Sequence, residues 1–251
     1  QGAIGIGALD ASLPPYKVST AYPMLVATDA GQVPVTGASE LGVASYATCV
    51  RFDASVLCTG VNSASGNLGN PAAPAQLLTL NPAYPALLGD AGTAALGTAW
   101  SNTQCALGPS GELRCWGFNP YQETAPSTAG NPVKTPYLWT GLPPIARVAS
   151  GLGHTCAVDT QGAVWCWGYD SAGQCGSADA SVTGVAPTQV TLPAKATEIT
   201  VGGLTDEAYS CARLETGDVY CWGANASGCT LGRGDAGVGL ASTPVPGPVK
   251  L

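Results

Sequence analysis

Basic charge is scarce in this chain. Of 251 residues nine are Lys or Arg, against sixteen Asp or Glu, for a net charge of −7. So few cations leave little to neutralise phosphates, which argues against nucleic acid and anionic membrane surfaces as partners. Histidine is nearly missing, with His154 alone. A Ser/His/Asp set cannot recur around one His, and a Cys/His metal site has little to draw on. There is no run of eighteen apolar residues, so no membrane-spanning helix is expected. A basic segment followed by an apolar one is also missing at the start. Export would then use a leader already removed, or another route. Paired carboxylates, a Cys-x-x-Cys dithiol and a Gly-rich phosphate loop between strand and helix do not stand out either. No cofactor and no catalytic residue is therefore assigned.

What the chain has in quantity is glycine (34), proline (20) and cysteine (10). With charged residues at only 10%, it is too apolar for disorder, and it is too rich in Gly and Pro for a helical protein. The cysteines are spaced regularly. Cys105 and Cys115 precede Trp116-Gly117, Cys156 and Cys166 precede Trp167-Gly168, and Cys211 and Cys221 precede Trp222-Gly223. A weaker copy runs from Cys49 to Cys58 and Thr59-Gly60. First cysteines are 56, 51 and 55 residues apart. A period near fifty with several short strands is the mark of a β-propeller blade.

Each full unit opens with a short apolar strand: Leu41 to Ala44, Ala95 to Ala99, Ile145 to Ala149, Ile199 to Val201. The Cys-to-Cys hairpin follows, then a Gly-rich turn and a Pro-led strand at Pro74–Leu80, Pro136–Trp139, Pro187–Leu192 or Pro246–Leu251. Residues 16–37 read as a degenerate fifth copy, with Leu25 and Val35 where Cys156 and Cys166 fall. The expected fold is all-β: a propeller of about five blades, four clear and one degenerate, each a four-stranded antiparallel sheet. Its units are 16–40, 41–94, 95–144, 145–198 and 199–251, the last complete where the chain stops. Residues 1–15 form a tail. Within it Ala3, Ile4, Ile6 and Leu9 suit a strand that either closes the ring in its own chain or adds to the next molecule.

In an antiparallel hairpin Cys156 faces Cys166, Ala157 faces Trp165 and Val158 faces Val164, leaving a loop at Thr160–Gly162. Cys49 and Cys58 are one residue closer, which fits a two-residue turn at Asp53-Ala54. Loop length changes while the pairing is kept, so cross-strand disulfides fit better than metal or redox chemistry. Each is worth roughly 2–3 kcal/mol in the chain-entropy model. Disulfides imply an exported, extracellular or cell-surface protein. Cys175 and Cys229 fall outside the pairs, and a bridge between neighbouring blades or between molecules are the two readings. Trp116, Trp167 and Trp222 are assigned to blade packing, with carbohydrate stacking as the alternative, and His154 to a structural hydrogen bond. The Gly after each Trp suits a tight bend or a positive φ. Asn225-Ala226-Ser227 is a glycosylation candidate.

His154-Thr-Cys-Ala-Val, Gly162-Ala-Val-Trp-Cys-Trp-Gly168 and Gly173-Gln-Cys-Gly176 resemble the repeat of the regulator of chromosome condensation family, and more closely its secreted, Cys-paired bacterial version. The resemblance covers residues 41–251 well and 16–37 poorly. It implies a propeller, seven-bladed as a rule, whose members act by binding other proteins. The reading taken forward is an extracellular, non-enzymatic propeller, a self-assembling subunit of a fibre or surface layer joined through its N-terminal strand. Its partners are then copies of itself or another extracellular protein. The alternative is a secreted monomer that binds a protein or glycan.

Overall fold

A computed structural model describes residues 25–28, 31–45, 47–52, 54–60, 66–73, 84–86, 88, 92–99, 101–126, 131–177, 184–225, 229–234 and 241–250. Ala3, Ile4, Ile6 and Leu9, expected to form an exchangeable strand, lie outside them. So does Pro74–Leu80.

The described chain is built of strands, with one 3-10 turn at Thr205–Glu207. A hairpin of β1 (Leu25–Thr28) and β2 (Gly31–Pro34) comes first. Four sheets follow in chain order. Blade I holds β3 (Ala38–Val43), β4 (Ala47–Phe52), β5 (Ser55–Gly60) and β6 (Tyr84–Pro85). Blade II holds β7 (Ala95–Leu96), β9 (Thr103–Leu107), β10 (Leu113–Gly117) and β11 (Val133–Leu138). Blade III holds β12 (Ile145–Ser150), β13 (His154–Asp159), β14 (Val164–Gly168) and β15 (Val185–Val190). Blade IV holds β16 (Ala196–Gly202), β17 (Tyr209–Leu214), β18 (Val219–Ala224) and β19 (Ser242–Pro248). Each is a four-stranded antiparallel meander, the form of a propeller blade.

The hairpin registers follow from the cysteines. Cys156 faces Cys166, Ala157 faces Trp165 and Val158 faces Val164. In blade I Phe52 faces Ser55, so two residues make the turn. The β1–β2 hairpin departs from the expected register: Leu25 faces Pro34, not Val35. Thr28 faces Gly31 in that pairing, and no Cys pair stands in these two strands to set another register. The strand beside β5 is Tyr84–Pro85, later in the chain than the Pro-led segment expected there.

Neighbouring blades are joined at the ends of their inner strands. β8 (Thr98–Ala99) continues from β7 but pairs in parallel with β12 of blade III. Leu152 and Leu204 form a similar parallel bridge from blade III to blade IV. Ser45 N–H donates to the Ser101 carbonyl, 3.1 Å away, from blade I to blade II.

Three apolar clusters fill the spaces between blades, and all obey one rule. The face of a blade that carries its disulfide packs on the Trp-bearing face of the next. Cys49, Val56 and Cys58 meet Ala106 and Trp116. Cys105, Leu107, Leu113 and Cys115 meet Val148, Ala157 and Trp167. Cys156, Val158, Val164 and Cys166 meet Ile199, Ala212, Leu214 and Trp222. A sheet covered on both faces needs no polar alternation, hence the apolar runs around each Cys.

Candidate functional site

The residues singled out by repetition form the scaffold between the blades. The structure pairs Cys49 with Cys58, Cys105 with Cys115, Cys156 with Cys166 and Cys211 with Cys221. Trp116, Trp167 and Trp222 are fully buried. Each indole N–H donates to a carbonyl of the preceding blade's loop: Asn67 at 3.1 Å, Glu123 at 2.9 Å and Gln174 at 2.9 Å. With no solvent-facing ring, none of the three is available for stacking on a sugar. The glycine after each Trp has φ between +105° and +114°. At Gly168 a Cβ would collide with the Gly153 carbonyl, which accepts the Tyr169 N–H at 2.7 Å. His154 is fully buried, with Nε2 3.0 Å from Ser210 Oγ. Burial lowers its pKa to about 4, so the ring is neutral at physiological pH.

Two assignments need correction. Cys175 and Cys229 are both free within this chain, so they do not bridge neighbouring blades. Cys175 is buried and its Sγ lies 3.4 Å from the Tyr169 carbonyl. Burial, with Asp170 nearby, pushes that thiol well above its ordinary pKa. The counterpart of Cys175 in blade IV is the buried Leu231, because that loop is longer and Cys229 falls ahead of the equivalent position, exposed. Asn225 is also not an available glycosylation acceptor. It is buried, and its Oδ1 accepts the Leu231 N–H at 3.1 Å.

Asn225 belongs to a second repeated pattern, one absent from the Cys-to-Cys unit. Two residues after each Trp-Gly glycine stands Asn119, Asp170 or Asn225, all buried. Asn119 Oδ1 accepts the N–H groups of Thr124 and Ala125 at 3.0 and 3.1 Å. Asp170 Oδ1 accepts that of Cys175 at 2.7 Å. These side chains close the loop that follows each hairpin. Trp-Gly-x-Asx was the signal that could have found them. Four residues further on come the buried Glu123 and Gln174. Glu123 Oε2 accepts the Tyr121 N–H and Gln174 Oε1 that of Ala172, both at 2.9 Å. The positions are equivalent but the chemistry differs. Burial raises the Glu123 pKa to about 7, opposed by backbone hydrogen bonds.

None of these groups forms a reactive set. Among the described residues no cluster of three or more His, Cys, Asp and Glu could hold a metal, and no helix is long and apolar enough to cross a membrane. The groups open to a partner lie elsewhere, on the rear, disulfide-bearing face of blade IV. Glu198 faces Arg213 and Thr200 faces Cys211 across β16–β17, and Arg213 faces Val219 across β17–β18. Residues directly opposite share a face of the sheet. Glu198, Thr200, Arg213 and Val219 are exposed, and Cys211 is half-buried. Glu198 Oε1 meets Arg213 Nη2 at 2.8 Å. This ion pair borders a cavity of about 450 Å³ that reaches the inner strands of blades II and III, with Leu96, Thr98 and Arg147 on its far wall. Arg147 assists Arg213 in holding the Glu198 carboxyl below its usual range.

A second, partly open group lies on the loops of blades II, III and IV, with Tyr121, Tyr169 and Ser171 half-buried and Asp206 exposed. The rings of Tyr121 and Tyr169 are tilted by 49° to one another, with centroids 4.6 Å apart. Tyr169 donates a short hydrogen bond to Asp206, which also accepts from Ser171 Oγ at 3.0 Å.

Comparison with known proteins agrees with this geometry. Residues 145–174 and 208–229 match the family model described as the regulator of chromosome condensation (RCC1) repeat. The matched stretches hold the hairpins of blades III and IV. Its fold is similar to human WBSCR16, at 18% identity and TM-score 0.72 over 99% of this chain and 60% of that one. It is also similar to yeast RCC1 (Prp20) in a complex with Kap60, at 19% identity and TM-score 0.71 over 88% of this chain and 51% of that one. A further structure of Prp20p from Saccharomyces cerevisiae gives 19% identity and TM-score 0.67, over 88% and 53%. The chain spans between half and three-fifths the length of these structures.

Proposed function

We propose that this chain is an extracellular, non-enzymatic propeller protein that works by protein–protein association, as a self-assembling structural subunit. The observation that carries the reading is the open rear face of blade IV, where every preceding blade has a neighbour. Four hairpin disulfides support an oxidising, exported setting. The structurally similar Prp20 is described bound to Kap60 and in its binding to Gsp1p and histones, which supports association as the mode of action. Its partners do not carry over to a chain with a net charge of −7.

The test is the mass of the full chain in solution as a function of concentration, repeated with residues 1–12 removed. Concentration-dependent growth supports the reading. If growth stops on truncation, subunits join through the N-terminal strand; if it persists, they join through the blades. A monomer at every concentration overturns self-assembly. A second reading, a secreted monomer that binds a protein or glycan, draws on the half-buried Tyr121, Tyr169 and Ser171 and the exposed Asp206. A monomer that loses binding to a glycan panel on Tyr169→Ala would support it.

A further inference from the structure

Glu198 and Arg213 have counterparts elsewhere in the chain whose partner is visible. In blade I Glu40 faces Arg51, as Glu198 faces Arg213 in blade IV. Arg51 is two residues after Cys49 and Arg213 two after Cys211. The Arg51 Nε to Glu40 Oε1 distance is 3.3 Å. Blade I, however, is followed by blade II. The Leu96 N–H of that next blade donates to Glu40 Oε2 at 2.6 Å. The pair in blade I is therefore part of an interface, with side-chain exposures of 34% for Glu40 and 23% for Arg51. The pair in blade IV is exposed to 62% and 46%.

The other half of that interface is equally easy to follow. Leu96 faces Ala106, the residue after its blade's first Cys. The residues in the same register are Leu41 opposite Val50, Val148 opposite Ala157 and Ile199 opposite Ala212. All four are apolar. Val148 and Ile199 are buried, and Leu96 packs against the cluster between blades I and II. Leu41, in blade I, is 66% exposed, and Val43 beside it is 56% exposed. One chain thus carries an uncovered apolar strand at its first full blade and an uncovered acceptor face at its last. Since both Leu41 and Glu198 are exposed, they do not satisfy each other within one chain.

We infer that the occupant of the blade IV face is a second copy of this chain, docked by the front of its blade I. This rests on the self-association reading above and specifies its geometry. β3 of the incoming copy takes the place that β7 holds against blade I. Its Leu41 enters the cavity beside Cys211 and Val219, and Glu198 accepts a backbone N–H from that strand, as Glu40 does from Leu96. The contact continues the order already used three times inside the molecule. It joins different surfaces, so each added copy leaves a new blade IV face free.

The experiment is sedimentation of the full chain between about 1 and 100 µM, with Leu41→Asp and Glu198→Arg as single-face variants. Both positions are exposed, and unchanged thermal melts at low concentration establish that the variants fold. The wild type is expected to form a concentration-dependent series of oligomers. Each variant alone is expected to associate at least about tenfold more weakly. An equimolar mixture pairs the intact blade IV face of Leu41→Asp with the intact blade I face of Glu198→Arg, so it should stop at a dimer. Oligomers that form equally well in both variants overturn this inference and leave the self-association reading standing. A wild type that stays monomeric overturns both, and assigns the two faces to other proteins or to further sequence in a longer chain.

Discussion

Blades III and IV have nearly the same hairpin and differ in what surrounds it. Val164-Trp-Cys-Trp-Gly168 and Val219-Tyr-Cys-Trp-Gly223 are one pattern, and their cysteines pair in the same register. Yet every residue of β13 is buried, whereas β17 alternates between covered and open. The alternation falls on the disulfide-bearing face. Where blade III has Val158 and Ala149, blade IV has Arg213 and Thr200. Where blade III has the buried His154, blade IV has the half-buried Tyr209. The repeat thus sets the hairpin, and residues at alternate positions set whether a neighbour covers it. A strand covered on both faces loses its period of two, and a strand with one open face regains it.

The most forceful way to break the comparison is to put blade IV's residue into blade III. Val158 packs on Ala212, Leu214 and Trp222 across the blade interface. Val158→Arg places a charge there with no counter-ion provided, at an expected cost of about 3 kcal/mol or more. Urea unfolding should show a large fall in midpoint, or no folded protein. An unchanged midpoint would mean that the III–IV interface opens readily and that the two blades are not different in kind.

The second test uses two buried titratable groups between blades II, III and IV, Glu123 and His154. Glu123 has a folded pKa of about 7 against an ordinary value of 4.5, so its contribution is fully present below pH 4.5 and is lost as pH rises to 7. His154 has a folded pKa of about 4 against 6.5, so its contribution is fully present above pH 6.5 and is lost as pH falls to 4. Each amounts to about 3 kcal/mol. The slopes oppose one another between pH 4.5 and 6.5, and the wild type should be nearly flat there. Glu123→Gln copies Gln174, the natural residue one unit later. It should raise stability near pH 7 by up to about 3 kcal/mol and expose a loss on acidification below pH 6.5. Denaturation midpoints across that range, for wild type and variant, check both parts. A variant as flat as the wild type would remove His154 from the account.

These buried groups mark how far the sequence could be read. Hairpins, registers and three of the Trp positions were visible because cysteine and tryptophan are rare enough to show a period. The capping Asn119, Asp170 and Asn225 recur just as strictly, but Asn and Asp are common in turns, so their repetition does not stand out. Asn225 reads as a glycosylation candidate because local sequence carries no burial. Cys175 and Cys229 read as related because one follows Gly173-Gln174 and the other Gly228 in similar loops, and only the extra length of the blade IV loop separates them. The open face of blade IV was written in Glu198, Thr200 and Arg213. Recognising it required knowing which blade face each residue occupies, and that depends on the bulge in β16 between Ala196 and Glu198.

A smaller effect separates the two disulfides. Cys156–Cys166 lies wholly inside the III–IV interface, while Cys211 is half-buried on the open face. A reductant reaches the first only when blades part, but the second from solvent. Under mild reduction with alkylation and mass spectrometry, Cys211 and Cys221 should be labelled about tenfold faster than Cys156 and Cys166. Equal rates at high protein concentration that diverge on dilution would point to a partner covering blade IV.

The smallest change sharpens the comparison most. Arg213→Val gives blade IV the residue of blade III, the reverse of the first substitution. Arg213 is partly solvated and paired with an exposed Glu198. Exposed pairs contribute little to folding, so the melting temperature of the dilute protein should not move measurably. Self-association should still change, because the substitution leaves Glu198 without the guanidinium that orients its carboxylate and adds apolar surface beside Val219. If stability is unmoved while association shifts, the charge on β17 serves the contact between chains, not the fold of one chain. A substitution that destabilises the isolated protein as much as Val158→Arg does would mean that blade IV is covered from within, and the distinction between the two blades would be lost.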